Sequence, residues 1–348
     1  MNEIRVAIAG LGNCAGSLIE ALSLYKNNTD ELGFIFEKIG GYLISDIRIV
    51  CAFDIADGKV GKTVSEAIYS YPNNFNRFCI PNIDDEDDAP VYMAEVHDGN
   101  PDHLAIFVKE STAEPINIVD TLHNHNVDVL LNLLPTGSHE ATHYYGEAAY
   151  EAGVAFINCI PTKYAQQKQV ADRFKAKGIA IIGDDVKSQV GSTMLHRALL
   201  DMLHERGANI MKSSQINIGG NSDFANFVHR AESKLVSKKL SLAYYLDGNT
   251  ECHLGHHYDV TKGAFKKTLF DIQASVFGGS TVKIQMILES DDKPNCAGSI
   301  VDMIRIAKTS MDRKAGGLIE EACLYYCKSY EIHMTDSEAR KLVQEKWV

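Results

Sequence analysis

Apolar residues in the first half of the chain fall in short unbroken runs. Residues 5–9, 47–53, 127–134, 154–158 and 179–182 are rich in Val, Ile and Leu. Runs of that length suit strands buried on both faces of a parallel sheet. Between them, residues 138–152 and 165–177 repeat apolar positions at helical spacing. Strand alternating with helix predicts a doubly wound α/β domain. Residues 73–102 break this rhythm: they are polar, hold Pro81, Pro90 and Pro101, and carry an acidic run at 84–88. They read as a surface excursion.

Beyond Gly183 the pattern changes. Helices are predicted over 193–206 and 226–245, with a strand over 214–218 between them. Residues 270–277 and 281–289 read as an antiparallel pair joined by the turn Phe277-Gly278-Gly279-Ser280. Together these make a second unit of α+β character. The tail is helical again over 296–311 and 318–329.

Composition narrows the partners. A chain of 348 residues favours two domains, and 45% hydrophobic with 23% charged residues is ordinary for a soluble protein. The net charge of -12 argues against a general affinity for nucleic acid or anionic membrane. No apolar run is long enough to span a bilayer. The 8 cysteines include no C-x-x-C pair, and no signal peptide precedes the first strand, so free thiols in the cytoplasm are expected.

Gly10-Leu11-Gly12-Asn13-Cys14-Ala15 is G-x-G-x-x-A, directly after a strand and before an apolar helix. Gly10 permits the tight turn, Gly12 lets a pyrophosphate approach the backbone, and Ala15 lets helix and strand pack closely. The helix N-terminus offers free N–H groups to phosphates. This is the fingerprint of a Rossmann-type dinucleotide-binding domain. The acid expected about 20 residues later comes late, as Asp54 at the end of the second strand, and an insertion at 25–45 accounts for the delay. Asp54 is read as binding the ribose hydroxyls, which favours NAD over NADP; the alternative is an aspartate that caps a turn.

A second loop, GDDVKSQVGST (183–193), also follows a strand and opens a helix. Its hydroxyls, glycines and lysine suit a phosphate; Asp184 and Asp185 suit hydroxyls, a cation or lysine partners. A plain N-cap loop is the alternative. Lys234 and Lys238 share one helix face at i,i+4, where like charges repel, unless the face is merely solvated. The turn from Gly219 through Gly220 and Asn221 to Asp223 before them is of the glycine-rich kind that meets ligands. His253-Leu254-Gly255-His256-His257 lacks an acid at fixed spacing and reads as an exposed histidine loop. Asp292, in the segment from Asp291 to Asn295, reads as part of a turn and cap.

The runs GLGNCAGS, LLNLLPTGS, GDDVKSQVGST, GGNSDF, ESKLVSK, FGGSTVKI, DKPNCAG and YYCKS occur in this order. In series they resemble the motifs of the myo-inositol-phosphate synthases, in the shorter bacterial and archaeal form, over about residues 4–329. The resemblance implies an NAD-dependent, redox-neutral isomerase of glucose 6-phosphate. Carbon 5 is oxidised, carbon 6 loses a proton and attacks carbon 1, and carbon 5 is reduced again, giving 1D-myo-inositol 3-phosphate. It implies catalytic roles for Lys234, Lys238, Lys328, Asp185, Asp223 and Asp292. Ser188, Thr193, Asn221 and Gly220 are implied at the substrate. Gly10, Gly12, Asn13, Cys14, Ala15, Asp54, Thr136, Gly137, Ser138 and Asp184 are implied at NAD. Eukaryotic relatives carry a further lysine just after the glycines of FGGST, where this chain has Thr281; Lys283, two residues on, is expected to substitute. The implied organisation is a dinucleotide-binding domain (1–183), a substrate and oligomerisation domain (184–292) and helices returning to the first domain (293–348), in a homotetramer. The resemblance leaves the cation open: Zn²⁺, another divalent ion or a monovalent one. The rival readings are an ordinary NAD-dependent dehydrogenase with net hydride transfer and a non-catalytic NAD-binding relative.

Overall fold

The computed structural model describes residues 3–26, 33–81, 88–332 and 334–348. Residues 84–87 of the acidic run lie outside the described residues. The chain order is β1 (Ile4–Ala9), α1 (Asn13–Lys26), β2 (Ile47–Asp54), α2 (Val64–Ala67), β3 (Val91–Met93), α3 (Asp102–Ala105), α4 (Ile118–Asn124), β4 (Val129–Asn132), α5 (His139–Ala152), β5 (Ala155–Asn158), α6 (Lys168–Lys177) and β6 (Ala180–Ile182). It continues with α7 (Ser192–Glu205), β7 (Asn209–Gly219), α8 (Ser222–Arg230), α9 (Glu232–Leu242), β8 (Glu251–Tyr258), β9 (Phe265–Ser275) and β10 (Thr281–Asp291). Last come α10 (Asp292–Asp312), β11 (Gly317–Leu318), α11 (Glu320–Tyr326) and α12 (Asp336–Trp347).

The apolar runs become a parallel sheet in the order β11-β6-β5-β4-β1-β2-β3. Both faces are covered, which is why the runs are unbroken. Ile4, Val6 and Ile8 of β1 join the core beneath α10, with Ile300 and Ile304. Ala7 and Ala9 point the other way, toward Ile118, Leu122 and Tyr145 of α4 and α5. Each large side chain buried this way is worth roughly 1.5–3 kcal/mol. The buried Arg305 of α10 ties down the insertion after α1, donating to Glu37 O at 2.7 Å and Phe36 O at 2.9 Å. Strand order reverses at β1, which lies between β2 and β4. In open α/β sheets that crevice is where ligands bind.

The second sheet is mixed, in the order β10-β9-β7-β8, with β7 and β8 parallel. β7 and β9 span 11 residues each, longer than the sequence pattern outlined. Ile272 and Ala274 face Leu200, Leu203 and Leu242 of the α7 and α9 layer. On β10, Thr281, Lys283, Gln285, Ile287 and Glu289 are all exposed. The register puts Ile287, Leu269 and Ile216 in one row across three strands.

Three sequence expectations are corrected here. Residues 73–102 are not all surface excursion, since Val91–Met93 forms β3 of the parallel sheet. The helix over 226–245 is two helices, meeting at Ala231. The histidine loop is the strand β8, paired along its length with β7. Its polar residues at a sheet edge give no apolar alternation.

Candidate active site

Strand β1 ends at the glycine turn. Gly10 takes φ +89°, and its N–H donates to Phe53 O at 2.9 Å. A Cβ at Gly10 would stand 3.0 Å from Leu133 O, so the turn is closed against β4. At Gly12 a Cβ would meet nothing within 4 Å. The open side of the turn lies on a cavity of about 260 Å³ that reaches from this switch point to the second sheet. A backbone this bare beside a helix start is what a pyrophosphate requires, so the residues fit a dinucleotide.

Asp54 lines the same end of the cavity, but its carboxylate is engaged by protein. One oxygen accepts Ile55 N at 2.8 Å and Ala56 N at 2.9 Å. The other accepts Leu11 N at 2.9 Å, with Lys59 Nζ at 3.4 Å. Lys59 also donates to Leu11 O at 2.8 Å. Asp54 therefore fixes the glycine turn, whatever else it does.

At the far end the loop after β6 turns through Asp185, a non-glycine residue at φ +63°. Its buried carboxylate accepts Lys234 Nζ at 2.7 Å, Lys328 Nζ at 3.0 Å and Ser237 Oγ at 2.5 Å. Burial alone would raise this carboxyl, but Lys234 and Lys328 hold it well below the usual range. Lys234 is in turn held charged: burial opposes its charge, and Asp185 outweighs burial. Asp292, at the first turn of α10, accepts Lys266 Nζ at 2.5 Å and Ser188 Oγ at 3.1 Å. Burial would raise it, and Lys266 keeps it low.

Lys238 differs from its neighbours. It is buried, and its ammonium makes no hydrogen bond or ion pair among the described residues. Burial first, then the charges of Lys266, Lys328 and Lys234, push its pKa well below that of an ordinary lysine. Lys328 is also lowered, by burial foremost, with Asp185 opposing. Burial raises Asp223, against the pull of Lys234 and Lys293. These positive charges surround a space with no anion of its own at Lys238. Such a site suits a phosphate or a developing oxyanion.

The structure brings Gly10, Gly12, Asn13, Cys14, Asp54, Thr136, Ser188, Thr193, Asn221, Asp223, Lys234, Lys238, Asp292 and Lys328 onto one cavity wall. Others stand behind it. Asp185 touches the cavity only through Lys234 and Lys328. Asp184 is fully buried and anchors the next loop, accepting Asn158 Nδ2 at 2.7 Å, Ala165 N at 3.0 Å and Tyr164 N at 3.1 Å; burial lifts its pKa to about 6 against those bonds. Ala15 packs in the core of the first sheet. Gly137 lies under Arg230, Ser138 bonds back to Pro135 O at 2.7 Å, and Gly220 packs on the Asp259 carbonyl. Asn221 also caps α8, accepting Phe224 N at 3.1 Å.

Lys283 is corrected. It projects from the exposed face of β10, 3.5 Å from Asp271. The lysine that enters the cavity from this sheet is Lys266, on the opposite face of β9. Its signal was present: Lys266 shares the alternation of Thr268, Phe270, Ile272 and Ala274, all buried. The loop lysine Lys187 also turns away, donating to Asp336 Oδ1 at 2.7 Å, while Arg197 Nε of α7 donates to Asp336 Oδ2 at 2.6 Å. Among the described residues no three His, Cys, Asp or Glu side chains converge as metal ligands, and no helix is long and apolar enough to cross a membrane.

Comparison with known proteins bears on the family. Residues 191–293, which span α7 to the start of α10, match the family model described as myo-inositol-1-phosphate synthase. The inositol-3-phosphate synthase of Mycolicibacterium smegmatis is 38% identical over 97% of this chain and 96% of its own length. That of Corynebacterium glutamicum is 37% identical over 99% and 98%. The crystal structure of inositol-3-phosphate synthase from Caenorhabditis elegans shares the fold, with a TM-score of 0.73 at 14% identity over 99% of this chain and 84% of that one. The two sheets, the ordered motifs and the full-length identity agree: the chain belongs to the myo-inositol-phosphate synthase family.

Proposed function

We propose that this protein converts D-glucose 6-phosphate into 1D-myo-inositol 3-phosphate with no net oxidation. One observation carries the reading: a glycine turn at the sheet's switch point and a carboxylate-held lysine cluster open onto the same cavity. Gly10, Gly12 and Asn13, with Asp54 and Thr136 beside them, would hold NAD. When bound, NAD⁺ supplies reversible hydride acceptance at carbon 5 of the sugar. The chain's own residues do the rest. Forming the new ring requires a proton to leave carbon 6 beside a ketone, and an enolate and an alkoxide to be held meanwhile. Lys238, displaced toward its neutral form by burial and by Lys266, Lys328 and Lys234, is suited to take up a proton. Lys234, kept charged by Asp185, is suited to hold the oxyanion. Lys266, Ser188 and Thr193 offer cation and hydroxyls to the phosphate.

In this reading residues 1–183 bind the dinucleotide, 184–292 carry substrate and assembly contacts, and 293–348 return to the first sheet. The apolar row of exposed Ile287 with partly buried Leu269 and Ile216 supports a homotetramer assembled on the second sheet. Eight free cysteines suit the cytoplasm.

The test is incubation with glucose 6-phosphate and NAD⁺, following the sugar by phosphorus NMR and NADH by absorbance. A cyclic phosphate forming without net NADH is expected. NADH rising in step with product would make the protein a dehydrogenase. Neither signal would leave a binding protein.

A further inference from the structure

Among the described residues, a histidine beside the lysines has a buried ring nitrogen without a hydrogen-bond partner. His256 lies on β8 in register with Asn217 of β7, and both line the cavity. Its ring is set by aromatic neighbours, 4.8 Å from Phe227 and 6.2 Å from Phe224 between centroids. Asn217 does not bond it. The Asn217 amide oxygen accepts Gln215 Nε2 and Thr268 Oγ1, each at 3.1 Å, and its nitrogen donates to Gly255 O at 3.2 Å. Among the described residues His256 Nδ1 is buried with no hydrogen-bond partner. An orphaned ring nitrogen is costly, and an aliphatic side chain would avoid that cost.

The surroundings keep this ring neutral. Burial, then Lys238, Lys234 and Lys266, push its pKa down to about 2. A neutral imidazole carries one N–H donor and one bare acceptor nitrogen. A phosphate or enolate finds stronger partners in the ammonium groups nearby. What matches a neutral donor–acceptor ring is a hydroxyl, which also both donates and accepts.

We propose that His256 is a specificity-determining residue that hydrogen-bonds a non-reacting hydroxyl of the sugar phosphate, at carbon 2, 3 or 4. This rests on the proposed turnover of glucose 6-phosphate. His256 joins neither the proton transfer nor the phosphate contacts. It distinguishes a polyol chain from a deoxygenated one.

The experiment compares wild type, His256→Phe and His256→Gln on glucose 6-phosphate and its 2-, 3- and 4-deoxy forms. It records kcat/KM, and binding by calorimetry. His256→Phe keeps a ring against Phe227 and loses both polar atoms; His256→Gln restores a donor and an acceptor. His256→Phe should lose about 5- to 100-fold in kcat/KM on glucose 6-phosphate, the ordinary cost of one buried polar partner left unpaired. On one deoxy analogue alone, wild type and His256→Phe should be equal, and His256→Gln should regain part of the loss on the full sugar. Equal losses on every sugar, or none on any, in both variants would overturn the inference while the reading of the activity stands. Wild type that neither binds nor turns over glucose 6-phosphate would overturn both.

Discussion

Lys234 and Lys238 sit one helical turn apart on α9, yet their substitution should move stability in opposite directions. Lys234 is paired: its ammonium lies 2.7 Å from the buried Asp185 carboxylate. Lys234→Met removes a charge-assisted hydrogen bond worth about 1.5–3 kcal/mol. The cost stays below the roughly 3–5 kcal/mol of an orphaned buried charge, because Lys328 at 3.0 Å and Ser237 at 2.5 Å still hold Asp185. Lys238 is unpaired and pressed by like charges. Methionine matches the lysine stem in length, and it removes the cost of burying an amine with no partner, on the order of 1–3 kcal/mol. Lys238→Met should therefore unfold later in urea than wild type, and Lys234→Met earlier, measured by circular dichroism at pH 7 without ligand. Both should lose turnover, by about 10²–10³-fold for one missing charge donor. The pH dependence separates the pair further. The folded pKa of Lys238 is lowered, so wild type regains stability as pH rises toward the unfolded value of about 10.4, and the advantage of Lys238→Met shrinks. The folded pKa of Lys234 is raised, so its contribution is complete below that value and persists through the same range. Equal destabilisation of the two variants would refute the reading of Lys238 as a buried lysine without a partner.

Two further outcomes are expected. Asp54→Ala should weaken NAD binding about tenfold or more, measured by fluorescence titration, and should also lower the unfolding midpoint, because three backbone N–H groups of the turn region lose their acceptor; an unchanged dissociation constant removes Asp54 from the cofactor site. Lys283→Ala should leave kcat/KM within about twofold, and Lys266→Ala should reduce it by 10²-fold or more; the reverse order would return the role to Lys283.

Five of the first sheet's seven strands were legible because parallel strands buried on two faces have no polar alternation to confuse them, as Val129–Asn132 and Ala155–Asn158, buried at every position, show; the short edge strands Val91–Met93 and Gly317–Leu318 were not legible. The glycine turn was legible for a similar reason: its chemistry is local. Lys266 was overlooked although the alternation of Thr268, Phe270, Ile272 and Ala274 marks its face, because a lysine at the end of that pattern reads as a solvated position. β8 was missed because Glu251, His253 and His257 point outward from a sheet edge, so its few inward residues give no apolar pattern. Asp184 and Asp185 are adjacent in sequence and alike in type. One bonds backbone and amide groups and the other two ammoniums, a distinction set wholly by partners distant along the chain.

The pairing of Lys187 with Asp336 has a consequence for how the protein is made. The two residues are 149 positions apart, and β11 completes the parallel sheet beside β6 from the same late part of the chain. During synthesis the loop holding Asp185 emerges well before the helices that brace it from behind. Contacts of such long sequence separation are slow to form. β1 and its glycine turn lack their covering helix until α10 has followed, and the lysine end stays unassembled until residues 317–347 are released and dock. Activity should thus appear as a distinct late event in refolding, lagging the recovery of strand and helix content.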